Sequence, residues 1–303
     1  MYREPSEPPL VKVDLVQTTT PDGLRLDGAL HVADSSATDV AVDAVLCLHG
    51  AGSNFYSSLL TDIAPHFIEA GIALLRVNTR GHDGISTSAT ATGAYRGGAA
   101  YEDVDECRHD VRGWIDFLRQ QGYERIALLG HSLGAIKAVY SQAHDPHEAI
   151  QCLLAVSPAR LSHSYFRETP QGSRFFDTYM TAKQHVEAGR GGTLMQVIVP
   201  IPLVITAAGY VDKYGPDERF NILKFADRVT CPTFYTFGEL ELKTGIAFVG
   251  LPEALADLPE GESSREIITL DGADHMYTGV RDVLGERLIA WLQGQRRCRV
   301  AGG

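Results

Sequence analysis

Short apolar runs alternate with longer amphipathic segments over most of the chain. The apolar runs are typical of strands buried on both faces, and they lie at residues 43–50, 72–78, 125–130, 150–158, 232–238 and 265–270. Helical spacing of apolar residues occupies the segments 56–70, 101–121, 133–140 and 280–293. Such alternation predicts an α/β protein with a mostly parallel sheet and helices on both of its faces.

Two parts of the chain depart from this alternation. Residues 11–19 and 24–32 flank the turn PDG and predict a hairpin of outer strands. After Pro158 the pattern breaks, and residues 159–228 are richer in polar and aromatic residues, with only short helix-like pieces. We therefore expect residues 1–158 and 229–303 to form one core and 159–228 to be an insertion in it.

Composition and charge limit the kinds of binding partner and the cellular compartment that we expect for the protein. The formal net charge of −11 disfavours binding to nucleic acid or to an anionic membrane surface. No apolar run reaches the 18 or so residues that a membrane-spanning helix needs, and the first residues lack the layout of a signal peptide. The 5 cysteines are far apart and form no CxxC pair. These features predict a reduced, cytoplasmic protein.

A serine stands between two glycines where a predicted strand meets a predicted helix. The sequence GHSLG spans Gly130, Ser132 and Gly134. A sharp strand-to-helix turn holds its central residue in a strained conformation and needs small neighbours two positions away on either side. This geometry presents the hydroxyl of Ser132 as a nucleophile. The alternative is a glycine-flanked turn in which the serine only caps the helix.

A serine nucleophile needs donors for the oxyanion that develops on the substrate. The strand at 43–50 ends in His49 and Gly50, where glycine lets the backbone approach a substrate. We predict the N–H groups of Ala51 and Leu133 as the two oxyanion donors. His49 is expected to brace the loop rather than to take part in catalysis.

The nucleophile also needs a base and an acid that orients the base. His275 lies in ITLDGADHMYTG, between the last predicted strand and the closing helix, and is predicted to be the base; the alternative is an ordinary loop histidine. Asp274 is expected to shape that loop. Glu241, three residues after Gly238, is the predicted acid. Glu239 is the second candidate, and either glutamate could instead be a solvated loop charge.

With these motifs in view, the chain resembles the α/β-hydrolase superfamily over nearly its whole length. The resemblance is carried by HGAG at 49–52, GHSLG at 130–134, GELE at 238–241 and GADH at 272–275. The chain order of serine, acid and histidine is the order that this fold uses. The stretches NTRGHD, RGGAAYED and GHSLGAIKAVY are similar to a group of esterase-like hydrolases, itself distantly similar to fungal siderophore esterases. One departure is the acid, which is more often aspartate in the superfamily.

The resemblance implies that residues 159–228 form a cap over the carboxyl edge of the sheet. Gly52, His131, Tyr210 and Tyr214 are then predicted to line a substrate pocket. The other aromatic candidates for its wall are Tyr165, Phe166, Phe175, Phe176 and Tyr179. Arg80, His82 and Asp83 follow a strand on the same edge, and Arg80 is expected to buttress its loop rather than to bind a substrate carboxylate.

These features together predict a serine hydrolase that cleaves a small-molecule carboxylic ester through an acyl-enzyme intermediate. Ser132, His275 and Glu241 form the predicted catalytic triad. No cofactor is expected, and no metal, because the motif regions lack metal-ligand spacing. Two alternatives remain open: an acyltransferase with the same triad, and a non-catalytic ligand-binding protein on the same fold. The sequence leaves the natural substrate and the oligomeric state undetermined.

Overall fold

A computed structural model describes residues 12–33 and 40–295 of the chain, and an eight-stranded sheet forms its centre. The strands of the described ranges are β1 Asp14–Thr19, β2 Arg25–His31, β3 Ala44–Leu48, β4 Ala73–Val77, β5 Ser86–Thr90, β6 Gly93–Gly97, β7 Ile126–His131, β8 Ile150–Val156, β9 Leu194–Val197, β10 Leu203–Thr206, β11 Thr233–Gly238 and β12 Arg265–Leu270. The helices are α1 Ser58–Asp62, α2 Ala64–Glu69, α3 Cys107–Gln120, α4 Leu133–His144, α5 His163–Glu168, α6 Gly172–Glu187, α7 Ala207–Tyr214, α8 Glu239–Thr244, α9 Leu251–Ala256 and α10 Arg281–Gly294. Two 3₁₀ turns follow α7, at Ile222–Lys224 and Ala226–Arg228.

The central sheet has the strand order β1-β2-β4-β3-β7-β8-β11-β12. The six strands from β4 to β12 in this order are parallel to one another, while β1 and β2 pair as an antiparallel hairpin at one edge. This arrangement confirms the predicted fold class, that of an α/β hydrolase, and the predicted outer hairpin. The carboxyl ends of the parallel strands meet at one edge, which is where such sheets place their sites.

The central strands are buried on both faces because helices cover the sheet on each side. Every residue of β3, β4 and β7 is buried. Neighbouring residues of one strand belong to opposite cores: Leu128 packs on the side of α3 and α4, and Leu129 on the side of α1, α2 and α10. This explains why these strands appear in the sequence as continuous apolar runs instead of alternating ones.

Several elements differ from the sequence predictions. The helix expected at 56–70 is divided at Ile63, because Pro65 has no N–H to continue the hydrogen bonding of α1. The helix expected from residue 101 begins only at Cys107. The segment 159–228 is more regular than expected, since it holds the 16-residue helix α6 and the β9–β10 hairpin.

A second hairpin, β5–β6, was not predicted at all, because its strands are exposed or half-buried at nearly every position and lack an apolar run. Helices α8 and α9, which follow β11, were also missed. Within residues 12–33 and 40–295, no helix combines the length and the apolar character needed to cross a bilayer.

Candidate active site

Ser132 lies in the sharp turn between β7 and α4. Its backbone adopts φ 57° and ψ −120°, a conformation that residues with a side chain rarely adopt. A Cβ on Gly130 would lie 2.1 Å from the carbonyl oxygen of Gly134, and one on Gly134 would lie 2.4 Å from that of Leu48. Both glycines are therefore required by the close approach of backbone to backbone around the serine.

The loop after β3 packs directly against this turn. A Cβ on Gly50 would lie 3.1 Å from the Cβ of Ser132, so glycine lets the loop come this close. The Gly50 carbonyl accepts hydrogen bonds from His49 Nδ1 at 2.8 Å and from the Ser53 N–H at 3.2 Å. Because a trans peptide places C=O and N–H on opposite sides, the Ala51 N–H points away from these groups. Neither it nor the Leu133 N–H donates to another described residue.

His49 fixes the orientation of this loop. Its Nε2 accepts a hydrogen bond from the Thr79 N–H at 3.1 Å, so the ring proton resides on Nδ1 and is donated to Gly50. Burial of the ring lowers the pKa of His49 to about 3, and the ring is neutral at pH 7. These are the contacts of a residue that braces the loop.

His275 and Glu241 are joined by a short hydrogen bond, with His275 Nδ1 lying 2.6 Å from Glu241 Oε2. Glu241 is buried in the first turn of α8, not in a loop as expected from the sequence. Its other oxygen accepts from the Gly238 N–H at 2.7 Å and from Ser157 Oγ at 2.5 Å. Three donors therefore hold the carboxylate in one orientation against the imidazole.

Glu239 lies elsewhere. Its carboxylate is exposed to solvent, where it pairs with Lys243 and accepts a hydrogen bond from the Gly272 N–H at 2.8 Å. Asp274 accepts hydrogen bonds from the N–H groups of Met276 and Thr278, both at 2.9 Å, and so shapes the loop that carries His275. Of the candidate carboxylates, the structure brings Glu241 to the histidine.

A chain of buried hydroxyl groups supports the glutamate from behind. Thr236 Oγ1 lies 3.0 Å from the Tyr277 hydroxyl, which lies 2.9 Å from Ser157 Oγ. Because Ser157 donates to Glu241, its oxygen is left to accept from Tyr277, and Tyr277 to accept from Thr236. Ser157 and Tyr277 have positive φ angles of 48° and 51°. The sequence analysis missed these residues, and no local motif distinguishes them.

His275 contacts two other rings. The centroids of the His131 and Phe248 rings each lie 4.8 Å from that of His275. The Nε2–H of His131 donates to the backbone carbonyl of His275 at 2.8 Å. Burial, together with the proximity of His275, lowers the pKa of His131 to about 3. At pH 7 the His131 ring is therefore neutral and does not oppose a positive charge on His275.

Ser132 and His275 face the same cavity, which has a volume of about 270 Å³. No hydrogen bond joins their side chains in the described part of the chain. The wall of the cavity is largely apolar and is formed by Gly50, Ala51, Ser53, Ser57, His131, Ser132, Leu133, Ala159, Leu161, Pro200, Ile201, Lys213, Tyr214, Ala247, Phe248, His275 and Met276. The predicted oxyanion donors thus belong to residues that border the same space as the serine.

Two of the predicted pocket residues do not line this cavity. Tyr210 is fully buried and donates its hydroxyl to the Val199 carbonyl at 2.8 Å, so its position is that of a packing residue. Gly52 has φ +65° in the turn of the loop. A Cβ on Gly52 would lie nearest to the Cβ of Ala99, at 3.9 Å. His131 and Tyr214 do line the wall, as does Lys213, which the sequence analysis missed.

The remaining aromatic candidates do not line the cavity. Phe166 and Phe175 are fully buried with ring centroids 5.3 Å apart, and Tyr179 packs on His163 at 4.7 Å. Tyr165 and Phe176 stack instead under arginine side chains. Aromatic content alone therefore does not identify the lining of this cavity.

The residues after β4 also form structural contacts. Arg80 is buried in ion pairs with Asp22, Glu106 and Asp110, and it does not line the cavity. His82 Nδ1 lies 2.9 Å from Asp83 Oδ2. The other oxygen of Asp83 accepts from Asn54, which lies in the loop after β3, at 2.8 Å. The two loops therefore support each other.

The sequence matches a family profile, described as alpha/beta hydrolase family, over residues 45–279. The chain belongs to the alpha/beta hydrolase family. Membership of this family supports a hydrolase activity. A comparison with curated proteins gave no match. Among the described residues, no group of three or more His, Cys, Asp or Glu side chains is placed to hold a metal ion.

Solved structures of other alpha/beta hydrolases have the same fold. The alpha/beta hydrolase GrgF from Penicillium sp. sh18 is 17% identical with a TM-score of 0.69, and the match covers 94% of this chain and 99% of GrgF. Est1E from Butyrivibrio proteoclasticus, solved with bound ferulic acid, is 13% identical with a TM-score of 0.64, covering 92% and 99%. An esterase from Pyrococcus furiosus is 16% identical with a TM-score of 0.61, covering 94% and 91%. At these identities the likeness shows the shared fold.

Proposed function

We propose that the protein is a serine hydrolase that cleaves carboxylic esters through an acyl-enzyme intermediate. The observation that carries the proposal is the 2.6 Å contact between the buried Glu241 and His275, which lines the same cavity as Ser132. A histidine held by a carboxylate beside a serine in a strained turn is the arrangement that activates a hydroxyl nucleophile.

The contacts support a distinct role for each group. Because Nδ1 of His275 carries the proton shared with Glu241, its Nε2 is free to accept the proton of Ser132 as the hydroxyl oxygen attacks the ester carbonyl. The negative charge then develops on the carbonyl oxygen, where the N–H groups of Ala51 and Leu133 would donate to it. His275 returns the proton to the departing alcohol, and water releases the acyl group by the same steps.

The insertion at 159–228 supplies one side of the cavity. Leu161, Pro200, Ile201 and Tyr214 come from this segment and lie on the same wall as residues of the core. We propose on this basis that the segment acts as a cap, and that its apolar residues contact the hydrocarbon part of the substrate while excluding water from the reacting bond.

The test is hydrolysis of short para-nitrophenyl esters, combined with labelling by a fluorophosphonate probe. We expect Ser132→Ala to abolish both, and Ser173→Ala, at an exposed serine of α6, to change neither. Products analysed with added alcohols distinguish a hydrolase from an acyltransferase, which would transfer the acyl group to the alcohol. Full activity in Ser132→Ala would refute the mechanism.

A further inference from the structure

Three charged side chains lie buried together behind the cavity. Glu102, Lys137 and Lys213 are 3%, 1% and 2% exposed, respectively. Lys137 forms a close ion pair with one oxygen of Glu102 and also donates to Thr79 Oγ1 at 2.9 Å. Lys213, from α7 in the insertion, lies 3.5 Å from the other oxygen of Glu102. The proposed catalytic steps use none of these three groups.

The charges of this cluster do not balance. Two ammonium groups share a single carboxylate, so the three groups carry one net positive charge when all are ionised. The Glu102 oxygen is the sole acceptor for Lys213 Nζ within the described ranges, although an ammonium group has three protons to donate. Burial and the neighbouring Lys137 together lower the pKa of Lys213. A further anion beside Lys213 would offset both effects.

Lys213 borders the cavity as well as contacting Glu102. Lys213 and Tyr214 are adjacent in α7 and both line the wall, whereas their neighbours on that side, Leu161, Pro200 and Ile201, are apolar. Among the described residues, Tyr214 takes part in a side-chain hydrogen bond only through its backbone carbonyl, which accepts from His163 Nδ1 at 2.9 Å, and its hydroxyl has no partner. Lys213 and Tyr214 are thus the two residues with polar side chains that the insertion contributes to the wall, since its other lining residues are apolar.

We propose that Lys213 and Tyr214 bind a carboxylate of the substrate, and that the natural substrate is an ester bearing a second, free carboxylate. This inference rests on the proposed esterase function. The ammonium would donate a charge-assisted hydrogen bond to one carboxylate oxygen and the Tyr214 hydroxyl would donate to the carboxylate as well. The anion would bring the cluster to charge neutrality.

Two pairs of esters test this, one for each side of the ester bond. On the acyl side, the para-nitrophenyl monoester of glutaric acid is compared with the same ester of glutaramic acid, which carries a carboxamide in place of the carboxylate. On the alcohol side, para-acetoxybenzoate is compared with para-acetoxybenzamide. We expect kcat/KM to favour the carboxylate in at least one pair, and Lys213→Met to reduce that preference by about 10- to 100-fold.

Two further variants control this experiment. Lys183→Met removes an exposed lysine of α6 and should leave the preference unchanged. Tyr214→Phe removes only a hydroxyl and should reduce the preference severalfold, which keeps the test informative if Lys213→Met does not fold. A wild-type preference for the neutral ester in both pairs, or the same preference in Lys213→Met as in the wild type, would overturn the inference.

Binding separates failure of this inference from failure of the proposed function. In Ser132→Ala, calorimetry with para-acetoxybenzoate, para-acetoxybenzamide and the two glutaryl esters measures recognition without turnover. Tighter binding of a carboxylate than of its carboxamide, lost on adding Lys213→Met, would support the site even if no ester were cleaved. Equal affinities for the carboxylate and the carboxamide in both pairs would refute the carboxylate site without contradicting ester hydrolysis.

Discussion

At the scale of single residues, Glu239 and Glu241 show how position decides chemistry. The two carboxylates are separated by one residue, but Glu241 is buried against His275 and Glu239 pairs with Lys243 in solvent. The side chains point in different directions because both residues lie in the first turn of α8. The motif GELE contains both glutamates, and only their positions around the helix direct one to His275 and the other to solvent.

We therefore predict that Glu241→Gln lowers kcat for para-nitrophenyl esters by a few orders of magnitude. An amide cannot hold the imidazole in the tautomer that leaves Nε2 free, nor stabilise the charge that develops on it. Steady-state kinetics measure the effect, and Glu239→Gln is the matched control, expected to stay within about threefold of the wild type. Equal losses in the two variants would contradict the assignment of Glu241 as the acid.

At the scale of elements, the turn between β7 and α4 depends on backbone contacts with the loop after β3. A Cβ on Gly134 would lie 2.4 and 2.5 Å from the carbonyl oxygens of Leu48 and His49, with no flexible side chain to move aside. Alanine at this position would push α4, which begins with the proposed oxyanion donor Leu133, away from the loop after β3 that carries the other donor, Ala51.

We predict that Gly134→Ala lowers the free energy of unfolding by about 3 kcal/mol or more, measured by urea denaturation. It should also slow fluorophosphonate labelling of Ser132, because the turn and the loop after β3 would no longer fit together. Gly192→Ala is the control, since a Cβ there would meet no atom within 4 Å. A stability loss of the same size in both variants would contradict this account.

The sequence predicted those elements whose cause is local. The strand at 125–130 and the glycines around Ser132 follow from an apolar run and from steric limits on a tight turn, and both are visible in the chain itself. The cavity wall was harder to predict. Tyr210 and Tyr214 lie one helical turn apart in α7, yet Tyr210 packs inside the segment 159–228 and Tyr214 lines the cavity, which depends on how α7 docks.

The features of the site that the sequence did not predict depend on contacts between distant parts of the chain. Ser157, Tyr277 and Thr236 form their hydroxyl chain only because β8, β11 and the loop after β12 converge at one edge of the sheet. Glu102 and Lys213 are more than a hundred residues apart and have no shared motif. Pairing of this kind is decided by the tertiary structure, so single residues in the sequence do not reveal it.

At the scale of the whole molecule, buried histidines couple folding to pH. Burial lowers the pKa of His31 to about 4 and those of His49 and His131 to about 3. All three rings are neutral in the folded protein and are held by hydrogen bonds, such as the one from Arg76 Nε to His31 Nε2 at 3.1 Å. In the unfolded chain the same histidines titrate near pH 6.5.

The unfolded state therefore takes up protons first as the pH falls below about 6.5, and stability is lost on acidification. Each histidine contributes about 1 kcal/mol between pH 6 and pH 5, so the three together should lower the free energy of unfolding by roughly 3 kcal/mol over that interval. Against the effect of burial, the neighbouring Lys137 and Lys213 lower the pKa of Glu102 from 4.5 to about 2. The stability that this carboxylate contributes is therefore lost only below about pH 4.5. Urea denaturation at pH 7, 6 and 5 measures the dependence, and His31→Gln should reduce it by about a third. A free energy of unfolding that stays constant from pH 6 to pH 5 would show that these rings do not remain neutral in the folded protein.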